Sequence, residues 1–213
     1  SVGKVSVLLT TGNRQKEFYK EQTDLKLIKN KNTTANISLK PTEKFQSIYG
    51  FGSAITGSTC YNLMQMSPAD RKNFLTQTFS ETEGFGQSYV RVSIGCSDFS
   101  LSEYTLCDTK GIEHFALTKE ETQYVIPILK EILAINPKVQ IIGSPWTPPR
   151  WMKVNNLTDL QPHNQWTSGQ LNPAHYQDYA LYFAKWLQAM KDNGLNVNAI
   201  TIQNEPLNRG NSA

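Results

Sequence analysis

A glutamate at the tip of a strand-like run, between an asparagine and a proline, is where this chain looks best equipped for chemistry. The run Ala199-Ile200-Thr201-Ile202-Gln203 is rich in β-branched residues and stops at Asn204-Glu205-Pro206. A carboxyl so placed can give or take a proton, and an adjacent amide can hold a hydroxyl. Trp146 closes another such run, and Trp151 lies in the loop Thr147-Pro148-Pro149-Arg150-Trp151-Met152-Lys153 beyond it. Tryptophans around a polar mouth suit a sugar, whose C–H faces pack on aromatic rings while its hydroxyls take hydrogen bonds. Arg91 sits inside an apolar run, where an unpaired guanidinium is costly, so it is expected to meet a carboxylate at the strand ends or in the core, with Asp98 a partner by nearness in sequence only. Each residue also has an ordinary role: a lone Glu is usually solvated, an Asn caps turns, and a Trp is more often core than platform. Their convergence on strand ends raises the chemical reading.

The elements that position them alternate. SIYGFGSAIT (47–56), SYVRVSIG (88–95), VQIIGSPW (139–146) and AITIQNEP (199–206) read as strands. Between them Ser67-Pro68 opens a helix as N-cap and first helical residue. Thr118 and Glu121 form a capping box. Asn172-Pro173 starts a third helix, with Tyr179, Phe183, Trp186 and Met190 on one side and Gly194 as its C-cap. Strand and helix in turn imply βαβ units and a parallel sheet. No glycine-rich phosphate fingerprint follows any strand, while polar and aromatic residues crowd the C-terminal strand ends, where a barrel keeps its active site. The expected class is α/β, the first half of a (β/α)8 TIM barrel with about four βα units, over residues 45–213. The first 44 residues differ: VSVLLTT (5–11) and ISLKP (37–41) read as short strands separated by a polar stretch.

Composition removes several classes of function. The 213 residues carry a formal charge of +3, and basic residues thicken only at Lys26, Lys29 and Lys31, beside Glu21 and Asp24. Without a basic, aromatic-studded stripe, nucleic acid is not an expected partner. No apolar run approaches the ~20 residues of a membrane span. Cys60, Cys96 and Cys107 lack metal-ligand spacing and are expected as buried free thiols, so no metal or other cofactor is implied. Asn32, Asn36 and Asn156 begin glycosylation-acceptor tripeptides.

Glycoside hydrolysis needs two carboxyl groups, one to protonate the leaving oxygen and one to attack or to activate water. Glu205 fits the first, while Glu81, Glu83, Glu103, Asp108 and Asp159 fall in loops and helix ends. The blocks GFGSAIT, RVSIGCSDFSLSEYTLCDT, SPWTPPRWMK and TIQNEP, in this order and spacing, resemble glycoside hydrolase family 30, from about Phe45 to Glu205. The likeness is closest to its glucosylceramidase branch and to the related β-glycosidases and β-1,6-glucanases. The resemblance implies a retaining hydrolase acting on a β-linked glucoside or related glycan, without a cofactor, and by the same likeness a link to sphingolipid metabolism. It implies Glu205 as acid/base, Asn204 on the sugar 2-hydroxyl, Trp146 as a sugar-contacting tryptophan and Arg91 as electrostatic support, and for the first 44 residues the strands of a β-sandwich beside the barrel. In the glucosylceramidase branch an Asp stands where this chain has Gly57, which places strict glucosylceramidase specificity in question. The family's nucleophile, a Glu on the seventh strand, has no counterpart here. The remaining half-barrel is therefore an expected partner, and this chain alone is expected to be inactive. The other readings are a carbohydrate-binding or degenerate barrel, or another β-glycosidase of the family. The expected setting is secreted, periplasmic or cell-surface.

Overall fold

Four strands run parallel in one sheet, and their order in space is their order in sequence. The computed structural model describes residues 3–27 and 37–208. In the N-terminal unit, which reaches Ser47, β1 (Lys4–Val5) pairs antiparallel with β4 (Leu25–Lys26), and β2 (Leu8–Leu9) with β3 (Tyr19–Lys20). The strand expected at 37–41 is absent: residues 37–40 form no ladder, with Ile37 and Leu39 exposed. Apolar alternation cannot make a strand without a neighbouring edge to bond. Asn32 and Asn36 lie outside the described residues.

The second unit, from Ile48 onward, holds β5 (Gly52–Ala54), β6 (Tyr89–Ser93), β7 (Gln140–Ser144) and β10 (Ala199–Ile200), side by side in that order. Every pairing is parallel, with Ala54 opposite Arg91, Ser93 opposite Ser144 and Ile200 opposite Gly143. A doubly wound sheet would reverse direction at a switch point. This one advances in a single sense, as the staves of a barrel do.

Between β5 and β6 stand α1 (Gly57–Gln65) and α2 (Pro68–Phe79). Helix α1 was not expected from the sequence. Its signal is Thr56, whose hydroxyl accepts from the Thr59 amide as N-cap, with Cys60 and Leu63 buried beyond it. For α2 the expectation holds: Ser67 caps it by accepting from the Asp70 amide, and Pro68 occupies the first turn.

The helix after β6 begins with the capping box. The Glu121 carboxylate accepts from the Thr118 amide at 2.8 Å, and the Thr118 hydroxyl accepts from the Glu120 amide at 3.2 Å. Residues 121–125 take a π-helical turn, and α3 (Ile126–Ile135) continues from there. Pro127 lacks the amide that a regular turn requires, and a wider turn before it accommodates this. After β7 come a short hairpin, β8 (Lys153–Val154) with β9 (Gln170–Leu171), and then α4 (Tyr176–Asp192), behind which Gly194 has φ +79°.

The sheet's two faces separate by residue parity. Val90, Val92, Ile94 and Ile141 turn outward and are buried with Leu129, Ile132, Tyr182 and Trp186 of the helices. Cys60, Cys96 and Cys107 are buried free thiols. Burial pushes Cys60 up to about 12 and Cys96 up to about 11, so both are protonated and inert near neutrality. Among the described residues no helix is long and apolar enough to cross a membrane.

Candidate active site

Arg91, Ser144, Thr201 and Asn204 meet across three adjacent strands. Arg91 is on the inward parity of β6, opposite in facing to Val90 and Val92. Its Nη2 donates to Ser144 Oγ at 3.0 Å and to Asn204 Oδ1 at 2.8 Å. Ser144 Oγ in turn lies 2.5 Å from Thr201 Oγ1. The guanidinium also stands 4.7 Å from the centre of the Trp146 ring. The partner expected for Arg91 is thus corrected: neutral oxygens and an aromatic face receive it, while Asp98 is exposed on a loop. Proximity in sequence misled here, because Asp98 follows the strand into the loop whereas Ser144 and Asn204 come from neighbouring strands.

This network orients Asn204. With Oδ1 held by the guanidinium, the amide presents its Nδ2 donors, and among the described residues no hydrogen bond engages them. The Asn204 amide nitrogen donates to the Pro145 carbonyl at 2.8 Å, which fixes the strand end against β7. Gln203 Nε2 donates to the Trp146 carbonyl, so the two strand tips are tied twice.

Glu205 follows in the left-handed region, at φ +47°. For a residue that is neither Gly nor Asn this conformation costs about 1–3 kcal/mol. It turns the chain so that the Asn208 amide bonds the Glu205 carbonyl at 2.9 Å, and Asn208 Nδ2 donates to its carboxylate at 3.1 Å. Glu205 and Trp146 line one cavity of about 670 Å³, together with Lys153, Gly169, Tyr176 and Phe183. A space of this size is in the range of small-molecule sites, and it has aromatic walls and a carboxylate at one side.

Trp151 is placed elsewhere. Its Nε1 donates to the Cys107 carbonyl at 2.8 Å, and its ring meets His175 edge-on at 5.0 Å and packs on the core. Four of the five expected site residues come together, and Trp151 instead braces the loop behind them. Sequence reasoning passed over Ser144 as the link between Arg91 and Thr201, although its position at the end of the third strand was the available signal.

The glycine at 57 has a structural counterpart. A Cβ at Gly57 would lie 1.6 Å from Glu120 Oε1 and 2.3 Å from Cδ. Glu120 is buried, and its Oε2 accepts from the Leu101 amide at 2.9 Å. Burial raises the pKa of this carboxyl, partly offset by the Leu101 bond and by Ser100. The room an Asp side chain at 57 would need is therefore filled by Glu120, from the start of the helical segment that leads into α3. Gly57→Ala is expected to displace Glu120 and strand the Leu101 amide, costing about 1–3 kcal/mol. Urea unfolding measures this, and an unchanged midpoint would show that Glu120 moves aside freely.

A model of the glycosyl hydrolase family 30 TIM-barrel domain matches residues 48–212. The chain belongs to glycosyl hydrolase family 30. Among family 30 relatives, lysosomal acid glucosylceramidase of Mus musculus is 34% identical over 174 residues, which is 80% of this chain and 33% of the relative. An endo-1,6-beta-D-glucanase of Trichoderma harzianum is 36% identical over 188 residues, 83% of this chain and 38% of the relative. A solved endo-β1,6-glucanase superposes with TM-score 0.84 at 58% identity, over 100% of this chain and 45% of its own. The chain thus spans between a third and a half of the length of these relatives. The four parallel strands β5, β6, β7 and β10 form part of the family 30 barrel.

Proposed function

We propose that this chain carries the acid/base side of a retaining β-glycosidase. Glu205 protonates the glycosidic oxygen as the bond to the anomeric carbon breaks. A second carboxylate, from the family 30 barrel beyond the described residues, closes on the anomeric carbon to form a glycosyl ester. Glu205 then takes a proton from a water whose oxygen attacks the anomeric carbon, the ester bond breaks to return the second carboxylate, and the sugar leaves with its configuration retained. Asn204 Nδ2 donates to the 2-hydroxyl, Trp146 stacks on a sugar face, and Arg91 holds both. The observation that carries this reading is the Arg91–Asn204 bond, which leaves the amide donors facing outward beside Glu205. A binding barrel without catalysis has no need of an acid set in strained backbone at this point.

The substrate in this reading is a β-linked glucoside. Within it, a β-1,6-linked glucan is favoured over a glucosylceramide, because Glu120 fills the space at Gly57 and the 58%-identical structure is an endo-β1,6-glucanase. The setting proposed is outside the cytoplasm, supported by the lysosomal relative. The test uses the complete enzyme that contains this chain, on a β-1,6-glucan and on glucosylceramide, with NMR of the first-formed anomer. Release of the β-anomer first is expected from the glucan. Release of the α-anomer first would overturn retention, and absence of cleavage of either substrate would overturn the catalytic reading.

A further inference from the structure

Lys153 is buried to 3% exposure, yet among the described residues the hydrogen-bond acceptors of its ammonium are uncharged. Nζ donates to Thr147 Oγ1 at 3.0 Å, to the Trp166 carbonyl at 2.9 Å and to the Ser168 carbonyl at 3.1 Å. Three donors meet three acceptors, which is the full capacity of an ammonium group. Two of those acceptors belong to the loop 163–170, and the third follows Trp146 directly. Ser168 has φ +59°, a left-handed conformation costly for serine, and Gly169 follows at φ +83°. Arg150 adds a second cation, 4.3 Å from the centre of the Trp166 ring. The His163 Nε2 lies 2.8 Å from the Thr167 carbonyl and closes the loop from its other side. Ser168, Gly169 and Gln170 then line the same cavity as Trp146 and Glu205.

We infer that Lys153 is a positioning residue: its ammonium holds the 163–170 loop in strained backbone as the cavity wall facing Glu205, and so governs how an extended glycan is held. The inference rests on the glycosidase reading for its consequence, but the loop itself can be examined without it. A buried ammonium whose three hydrogen-bond acceptors are all neutral carries an unfavourable desolvation cost, and its retention calls for a reason beyond packing. Bonds from an ammonium to carbonyls are about twice as strong as neutral ones, enough to hold a left-handed serine. Burial, with Arg150 adding to it, lowers the Lys153 pKa to about 8. The proton therefore leaves as pH rises through about 8, and the carbonyls then face a neutral amine. The other titratable or charged groups around it are Arg150, Cys96 and His163, with Glu205, Tyr176 and Tyr179 on the cavity.

The experiment compares hydrogen exchange of residues 163–170 in wild type, Lys153→Met and Lys153→Arg, from pH 6.5 to 9.5, corrected for the intrinsic pH dependence of exchange. Wild type is expected to lose protection through about pH 8, Lys153→Met to be unprotected throughout, and Lys153→Arg to retain protection to the top of the range. Unchanged protection in wild type across that range would overturn the inference, and it needs no variant to fold. In the complete enzyme, Lys153→Met is expected to raise KM for an oligosaccharide about tenfold, the order of one charge-assisted hydrogen bond. The kcat should fall far less than KM rises, and a short aryl glycoside should suffer less. An equal loss of kcat on both substrates would assign Lys153 to general stability and overturn positioning. Absence of hydrolysis in wild type, with the exchange result intact, would overturn the glycosidase reading and leave the pinned loop standing.

Discussion

Glu205→Gln in the complete enzyme is expected to lower kcat on an unactivated β-glucan by about a thousandfold, within the range that general acid–base groups supply. On an aryl glucoside with a good leaving group the first step should be almost unaffected, because the departing phenolate needs no proton. The glycosyl ester should then accumulate, since water attacks it without a base. The backbone supports this choice of residue over its neighbours. Glu205 is held at φ +47° by the turn to Asn208, and strain of this kind persists only where the surroundings impose it. The substitution to Gln preserves shape and hydrogen-bonding length, so the turn survives it. Steady-state rates on both substrates, with mass spectrometry of the trapped protein, read the result. Equal losses on both substrates would remove Glu205 from the acid/base role.

Trp186→Ala is expected to destabilise the fold by about 3–5 kcal/mol, a large share of the 5–15 kcal/mol that holds a typical domain. Trp186 is 1% exposed on α4, and its ring meets β7 at Gly143. A Cβ at Gly143 would stand 2.5 Å from the Trp186 Cη2 and 3.1 Å from Ile94 Cδ1, so only glycine lets the ring come this close to the strand. This contact seats α4 on the strand that leads to Ser144 and Trp146. Gly143→Ala is accordingly expected to cost about 1–3 kcal/mol by overpacking. In a double-mutant cycle the alanine at 143 should be nearly harmless once Trp186 is truncated, because both changes act on one contact. Urea unfolding of the four proteins measures the coupling. Simple additivity would mean that the ring does not press on the strand.

Signals that act within a few residues were legible in the sequence. Ser67 before Pro68, Thr118 three residues before Glu121, and Gly194 after the last apolar turn of α4 each mark an element end that the structure keeps. Their chemistry is completed by backbone amides one turn away, so no knowledge of the fold is needed. The run 88–95 was legible as a strand, while its two faces show in the alternating burial of residues 89–93, since parity follows from the pleat. Helix α1 escaped because a threonine cap and the four apolar residues Cys60, Tyr61, Leu63 and Met64 make a weak signal in so short an element. The segment 37–40 misled in the opposite direction, since its apolar alternation finds no strand to pair with.

The site divides along the same line. The sequence by itself determined that a carboxylate, an amide, a tryptophan and an arginine stand at or near the ends of parallel strands. Only the tertiary structure decided which of them touch. Arg91 reaches Asn204 across 113 positions of chain and passes over the nearer Asp98. Trp151, five residues beyond Trp146, gives its N–H to Cys107 and its ring to the core. The space beside Gly57 belongs to Glu120, sent from another helix. The physical reason is that caps and pleats are governed by backbone geometry within a turn or two. Charge pairing and side-chain volume are instead settled by whichever neighbours the sheet register brings to the same point.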